Sequence, residues 1–249
     1  MLKFSSVSRS SLVALVASLP LAAQFSARLS PKADQAFEDY RKVVETHIDG
    51  RPRFSAGPKP GHIEVFAART QGALGVPDGL IHDWVAATVV RDATVEKALA
   101  VLQNYAAYKN IYQGDVSDSK LLGRDGDLFH IYLRMVKKKV LTVMLNGEFD
   151  VQYRPLGDNR WSVISRSTRI AEVNGDRELP TDSGHGFLWR LNSYWLIEPR
   201  PEGVYLECRT ISLSREVPFG LTLAVKPFLT SVPRESLQNT LEATMRALR

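Results

Sequence analysis

The residues best suited to chemistry are polar side chains spaced by two within an apolar run. Over residues 160–170, Trp161, Val163, Ser165, Ser167 and Arg169 share one parity, so a strand would aim all five at one side. The first two belong in a core. Hydroxyls buried beside them need partners, and an arginine at the mouth of a cavity could hold a carboxylate or phosphate through two parallel hydrogen bonds. Alternatively the strand drifts toward the sheet end and leaves Arg169 in water. Ser165, Ser167 and Arg169 are thus candidate ligand contacts, and no catalytic set is assigned.

Other chemistries find less support. His47, His62, His82, His130 and His185 are scattered, with no two at ligand spacing, which argues against a zinc site. His185, between Gly184 and Gly186, sits in a loop that could cover a cavity entrance or could simply be a surface residue. Asp115, Asp118, Asp125 and Asp127 surround a turn at Gly126 but match no calcium-loop spacing. The single cysteine, Cys208, excludes an internal disulfide and reads as a small core residue lacking an activating partner. With no phosphate-binding glycine loop, nucleophile elbow or zinc-protease motif, the sequence calls for no metal and no cofactor.

These side chains must be held by an ordinary globular chain of 249 residues, 44% hydrophobic and 24% charged. Lys3 and Arg9 precede an apolar run, Leu12 to Leu21, followed by Ala22 and Ala23. That is the pattern of a cleaved secretory signal over residues 1–23 and predicts an exported protein, periplasmic or secreted. An uncleaved N-terminal anchor is the alternative. With Lys3 and Arg9 gone, 30 basic residues remain against 27 acidic, too mild an excess to argue for nucleic acid. Lys137, Lys138 and Lys139 could touch an anionic membrane surface transiently, though such a run is more often a solvated connection.

Residues 24–78 read as an N-terminal extension. Ser30 and Pro31 start a helix to about His47, with Phe37, Tyr40, Val43 and Val44 on or near one side. Glycine and proline make 49–61 a linker, 63–68 a short strand and 72–79 another breaker-rich stretch. From residue 80 the pattern sharpens into a strand, 80–90, and a helix capped by Asp92 with Val95, Ala98, Leu99, Leu102 and Tyr105 on one face. Six strand-like runs follow at 116–122, 128–136, 141–153, 160–170, 187–199 and 204–213. The chain closes in a helix from Ser231, with Pro233 in its first turn and Leu237, Leu241, Thr244 and Leu248 on one face. Before it, Phe219 to Leu229 is apolar and interrupted by Pro227. This is an α+β plan in which one face of an antiparallel sheet of about seven strands is covered by helix.

Pairing arithmetic tests the hairpins, because residues opposite one another share a face. A turn centred on Lys138 sets Leu133 against Val143, Ile131 against Leu145 and Phe129 against Gly147. One centred on Gly157 sets Tyr153 against Trp161 and Phe149 against Ser165. A turn over 200–203 sets Ile197 against Leu206 and Trp195 against Cys208. All three give one consistent inner face. The first lacks the glycine or asparagine that a tight hairpin wants.

In this layout, residues 79–249 resemble the START-like (SRPBCC, helix-grip) superfamily, which includes lipid-transfer, polyketide cyclase/dehydrase-like and coenzyme Q-binding proteins. The stretches Ser212-Leu213-Ser214-Arg215-Glu216-Val217-Pro218 and Pro233-Arg234-Glu235-Ser236-Leu237 also look like that superfamily. The resemblance implies a sheet wrapped around the C-terminal helix, with a cavity between them for a hydrophobic small molecule or lipid. Carried over by position, Phe129, Ile131, Leu133, Val143, Leu145, Phe149, Trp189 and Trp195 would line it, Leu237, Leu241 and Thr244 would close it, and Ser165, Ser167 or Arg169 would orient a polar end. Pattern alone does not separate a lined cavity from a filled one. Three functions follow: a non-enzymatic exported binding protein, a cyclase/dehydrase-like enzyme using a tyrosine, histidine or arginine in the cavity, or an interaction domain with a filled core.

Overall fold

A computed structural model describes residues 27–48, 57–139, 142–216 and 231–249. The expected signal over 1–23, most of the linker, the connection at 140–141 and the apolar run at 219–229 lie outside these residues.

One ten-stranded antiparallel sheet organises the chain. Its strands are β2 (Ile63–Ala67), β3 (Ala73–Val76), β4 (Gly79–Arg91), β5 (Val116–Asp125), β6 (Leu128–Lys138), β7 (Thr142–Gly157), β8 (Arg160–Asn174), β9 (Arg177–Glu178), β11 (Arg190–Arg200) and β12 (Gly203–Arg215). The order is β2-β4-β12-β11-β8-β7-β6-β5, with β3 also on β4 and β9 on β8. Among the described residues the α-helices are α1 (Pro31–Thr46), α2 (Val95–Gln103), α3 (Tyr108–Ile111) and α4 (Val232–Ala247), and β1 (Ala27–Arg28) pairs with β10 (Ser183–Gly184). The seven long strands are those of the sequence reading. β2 is the short strand expected over 63–68, and two more, β3 and β9, come from short segments that no local pattern announces.

Two of the three hairpin registers need correction. The turn at Glu202 sets Trp195 against Cys208 and Ile197 against Leu206, as the arithmetic has it. Around Gly157, however, Tyr153 lies opposite Val163 and not Trp161, because the chain reverses through Asp158 and Asn159, both at positive φ (52° and 55°). At Lys138 the slip is four residues. β6 runs on to put Lys138 opposite Thr142, so Ile131 faces Phe149 and Leu133 faces Gly147. Both slips are even, so neither by itself moves a side chain to the other face; alternation specifies parity but not loop length.

Two caps also differ. Asp92 is a turn residue at φ 58°, and the hydroxyl of Thr94 instead accepts from the Lys97 amide of α2 at 3.2 Å. Ser231 already has helical backbone angles and makes no side-chain cap bond, whereas Ser30 accepts from Ala33 N at 3.1 Å as its position suggests.

The sheet has two covered faces. On the outer face α1 buries Ala33, Phe37 and Val44 against Ile81, Ile164, Trp189, Tyr194, Ile211 and Leu213, leaving Val43 exposed. Each large side chain so buried contributes about 1.5–3 kcal/mol. On the inner face α4 packs against β4, β2 and β12, and α2 supplies Val95, Ala98 and Leu102 to the main core. No described helix is long and apolar enough to cross a membrane.

Candidate ligand cavity

The inner face is not fully packed. Between it and the N-terminal half of α4 lies a cavity of about 280 Å³. Alternation on β6 and β7 gives it an apolar wall of Ile131, Leu133, Met135, Val143, Leu145, Phe149 and Val151. Val163, Trp195 and Cys208 continue that surface across β8, β11 and β12, while Val232, Pro233, Ser236, Leu237 and Thr240 of α4 lie over it. At the rim Lys137 and Asp115 pair at 2.7 Å, and Asn239 of α4 donates to Asp115 at 3.3 Å. Lys139 reaches Glu235 at 2.6 Å, which ties α4 to the edge of the sheet a second time.

A second wall is aromatic. Helical spacing through α2 and α3 aims Tyr105, Tyr108 and Tyr112 inward, beside Tyr153 of β7. Each phenol is engaged. Tyr153 and Tyr108 donate to the Leu102 carbonyl at 2.9 and 2.6 Å, and Tyr105 meets the Tyr153 hydroxyl at 2.8 Å. Thr244 donates to Thr240 O, so at 3.1 Å Tyr112 is the donor to Thr244. Burial pushes Tyr112 up to about 12 and Tyr105, Tyr108 and Tyr153 well above the usual phenol range. No phenolate is available as a base near neutral pH.

A third wall carries hydroxyls. Ser165 of β8, Ser193 of β11 and Thr210 of β12 lie directly opposite one another, and Ser212 of β12 lies opposite His82 of β4; all five line the cavity. His82 is buried, its Nε2 stands 3.1 Å from the Ser214 hydroxyl, and burial pushes its pKa down to about 4, so it is neutral at physiological pH. Burial likewise pushes the Cys208 thiol well above its ordinary value, away from a nucleophilic thiolate. His82, on β4, and the Asp115–Lys137 pair, at β5 and β6, lie near opposite ends of the sheet order, and Asp115 and Lys137 are spent on each other.

Eight of the candidate residues meet on this lining: Ile131, Leu133, Val143, Leu145, Phe149, Ser165, Trp195 and Leu237. Six do not. Phe129 packs behind it against the rings of Tyr105 and Tyr153. Leu241 and Thr244, further along α4, are buried in the core below. Ser167 stands opposite Phe149, just before a bulge, but is off the lining; the bulge between Ser167 and Arg169 corrects the inward placement of Arg169. The Ser167 hydroxyl accepts from the Leu191 amide at 3.0 Å, and Arg169 is turned to the outer face, where Glu148 and Glu178 pair with it. One extra residue reverses the alternation, so Ile170 and Glu172 point inward in its place. Trp189 is also misplaced by parity, because it precedes β11 and packs with α1. The Glu172 carboxylate, buried beyond the bulge, accepts from His185 N (2.7 Å), His185 Nδ1 (2.9 Å) and Phe187 N (3.1 Å); that brace sets Phe187 and Leu188 on the lining.

Sequence reasoning missed Ser193, Thr210, Ser212 and His82. The 200–203 turn that pairs Trp195 with Cys208 also pairs Ser193 with Thr210 two residues on, so the signal for those two was present.

The order strand, helix, six strands, helix, with the last helix held against the inner face of one antiparallel sheet, decides the architecture. This is the START-like, helix-grip fold. Solved structures with this fold align along most of the chain. A STAR-related lipid transfer protein fragment from Xanthomonas axonopodis matches at 19% identity and TM-score 0.49, over 75% of this chain and 98% of its own. The lipid transfer and protein localization domain of human StarD13 (DLC2) matches at 11% identity and TM-score 0.48, over 90% and 99%. The di-domain ARO/CYC StfQ from the steffimycin biosynthetic pathway matches at 12% identity and TM-score 0.48, over 68% and 51%. No family model matches the chain, and neither does any curated protein.

Proposed function

We propose that this protein binds a hydrophobic small molecule or lipid in the cavity between its START-like sheet and α4, and does so without chemical conversion. One observation carries the reading: a space of about 280 Å³ inside the fold is walled mainly by apolar side chains. That is near the lower end of ligand pockets, roughly 300 Å³, and suits a compact ligand or one end of a longer one. Affinity would come from moving apolar surface out of water, about 25 cal/mol per Å² before ordering costs. The alternative of a cyclase/dehydrase-like enzyme needs an acid and a base matched to neutral pH, whereas burial raises the pKa of the phenols and the thiol and lowers that of His82, which makes each a weaker acid or base there. Native mass spectrometry of the purified protein, with solvent extraction of anything retained, tests the reading. A protein that carries nothing and ignores quinones, sterols and acyl lipids would sink it.

The proposal includes export by removal of residues 1–23, the segment with a basic start and an apolar run. Intact mass of the protein recovered outside the cytoplasm checks this; a chain retaining Met1 overturns it. Release of ligand at a membrane surface, through the Lys137–Lys139 corner beside the cavity rim, is a further part of the proposal. Co-sedimentation with anionic vesicles, absent when the three lysines are replaced by glutamine, would support that contact.

A further inference from the structure

The hydroxyl wall is what the fold itself does not use. Ser165, Ser193 and Thr210 form one row across three neighbouring strands, and Ser212 stands in the next row beside His82. Their hydroxyls have no protein partner among the described residues, although the tyrosines of the opposite wall all do. Ser212 is the sharpest case: it is 6% exposed, and it lines the cavity. Buried polar groups are nearly always satisfied, and a pocket's few polar groups are what orient its ligand.

The charge inventory narrows the ligand further. Lys137 is the one cationic side chain on the lining among the described residues, and Asp115 neutralises it at the rim. Arg169, the candidate for an anionic head group, is turned to the outer face by the bulge. His82 is held neutral by its burial. An anion at the hydroxyl row would therefore be desolvated with no counter-charge. A hydroxyl both donates and accepts, so four of them match an alcohol or carbonyl oxygen without any charge.

We propose that the bound molecule is an uncharged amphiphile whose hydroxyl or carbonyl group docks on Ser165, Ser193, Thr210 and Ser212, with its hydrocarbon against β6 and β7. This rests on the binding function proposed above and adds the chemical class of the ligand. Dodecanol, dodecanoate and dodecane share one chain length and differ only at the end. Their binding is followed by fluorescence of Trp195 on the lining, at about pH 8 where a carboxylate is ionised. Dodecanol should bind about tenfold or more tighter than either of the others, the worth of one or two net hydrogen bonds. Replacing Ser193→Ala together with Thr210→Val should remove the advantage of dodecanol over dodecane, while Thr210→Ser should retain it. Dodecanoate binding as tightly as dodecanol would overturn the uncharged class, and that comparison needs only the wild-type chain. An alcohol preference that survives the double substitution would overturn the docking row. If none of the three binds, the binding function itself fails.

Discussion

The two faces of the same strands treat polar groups in opposite ways. On the outer face, Arg209 of β12 grips Asp83 of β4 with two guanidinium nitrogens, and Tyr40 of α1 donates to the same carboxylate at 2.6 Å. Nearby, Glu45 of α1 accepts from Arg166 at 2.8 Å, Tyr194 at 3.1 Å and Arg41 at 2.7 Å. Asp83 is buried and Glu45 half-buried there because each finds its counter-charge on a neighbouring strand. On the inner face, the residue after Arg209 is Thr210, whose hydroxyl faces open space. Charged groups demand a closed, fully paired layer, whereas neutral hydroxyls tolerate a cavity that only a ligand or water completes. One layer is closed by ion pairs, and the other is left open over a cavity.

The largest test of this contrast is on the outer side. Asp83→Ala leaves Arg209 buried without its counter-charge and should cost about 3–5 kcal/mol of stability in urea denaturation. A loss under about 1 kcal/mol would mean that the outer layer is not the closed ion-paired structure described. Second comes acid sensitivity of the inner face. The unfolded His82 takes up a proton near pH 6.5, but in the folded protein its pKa is pushed down to about 4. Its contribution is fully present above pH 6.5 and is lost as the pH falls through about 4, about 3 kcal/mol in all. Comparing pH-dependent melting of wild type with His82→Gln isolates it, and parallel curves would refute it.

Third, Leu145→Trp should fill the cavity, lowering ligand affinity at least about tenfold for less than about 1.5 kcal/mol of stability. Unfolding of that variant would mean that the interior was already packed. The smallest effect is expected from Thr210→Val, within about 0.5 kcal/mol by thermal melting, because no protein group loses a partner. A loss above 1 kcal/mol, on the order of one hydrogen bond, would show that the hydroxyl is tied into the fold and would erase the contrast between the faces.

Much of this was legible in residue order, and the failures have physical reasons. The seven long strands and the closing helix follow from period-two and period-3.6 patterning. The hairpin through Glu202 was placed correctly, with Arg200 opposite Gly203. The other two slipped by two and four residues, which alternation does not detect. Arg169 was assigned to the wrong face because one bulged residue, between Ser167 and Arg169, resets parity. The residue there is Thr168, a β-branched side chain that suits a regular strand and gives no local sign of a bulge. Phe129, Leu241 and Thr244 were placed on the correct face but at the wrong depth, since burial behind a lining and burial within it look identical in a pattern.

By itself, the order of residues determined which side chains share a face, that α1 and α4 each need an apolar surface, and that neither a disulfide nor a cysteine-rich site stabilises the chain. These are local matters of parity, period and composition. Only the tertiary structure decided that α1 supplies counter-charges to one face while α4 leaves a space over the other. Pairing partners and empty volume depend on which distant segments meet, and alternation carries no record of that.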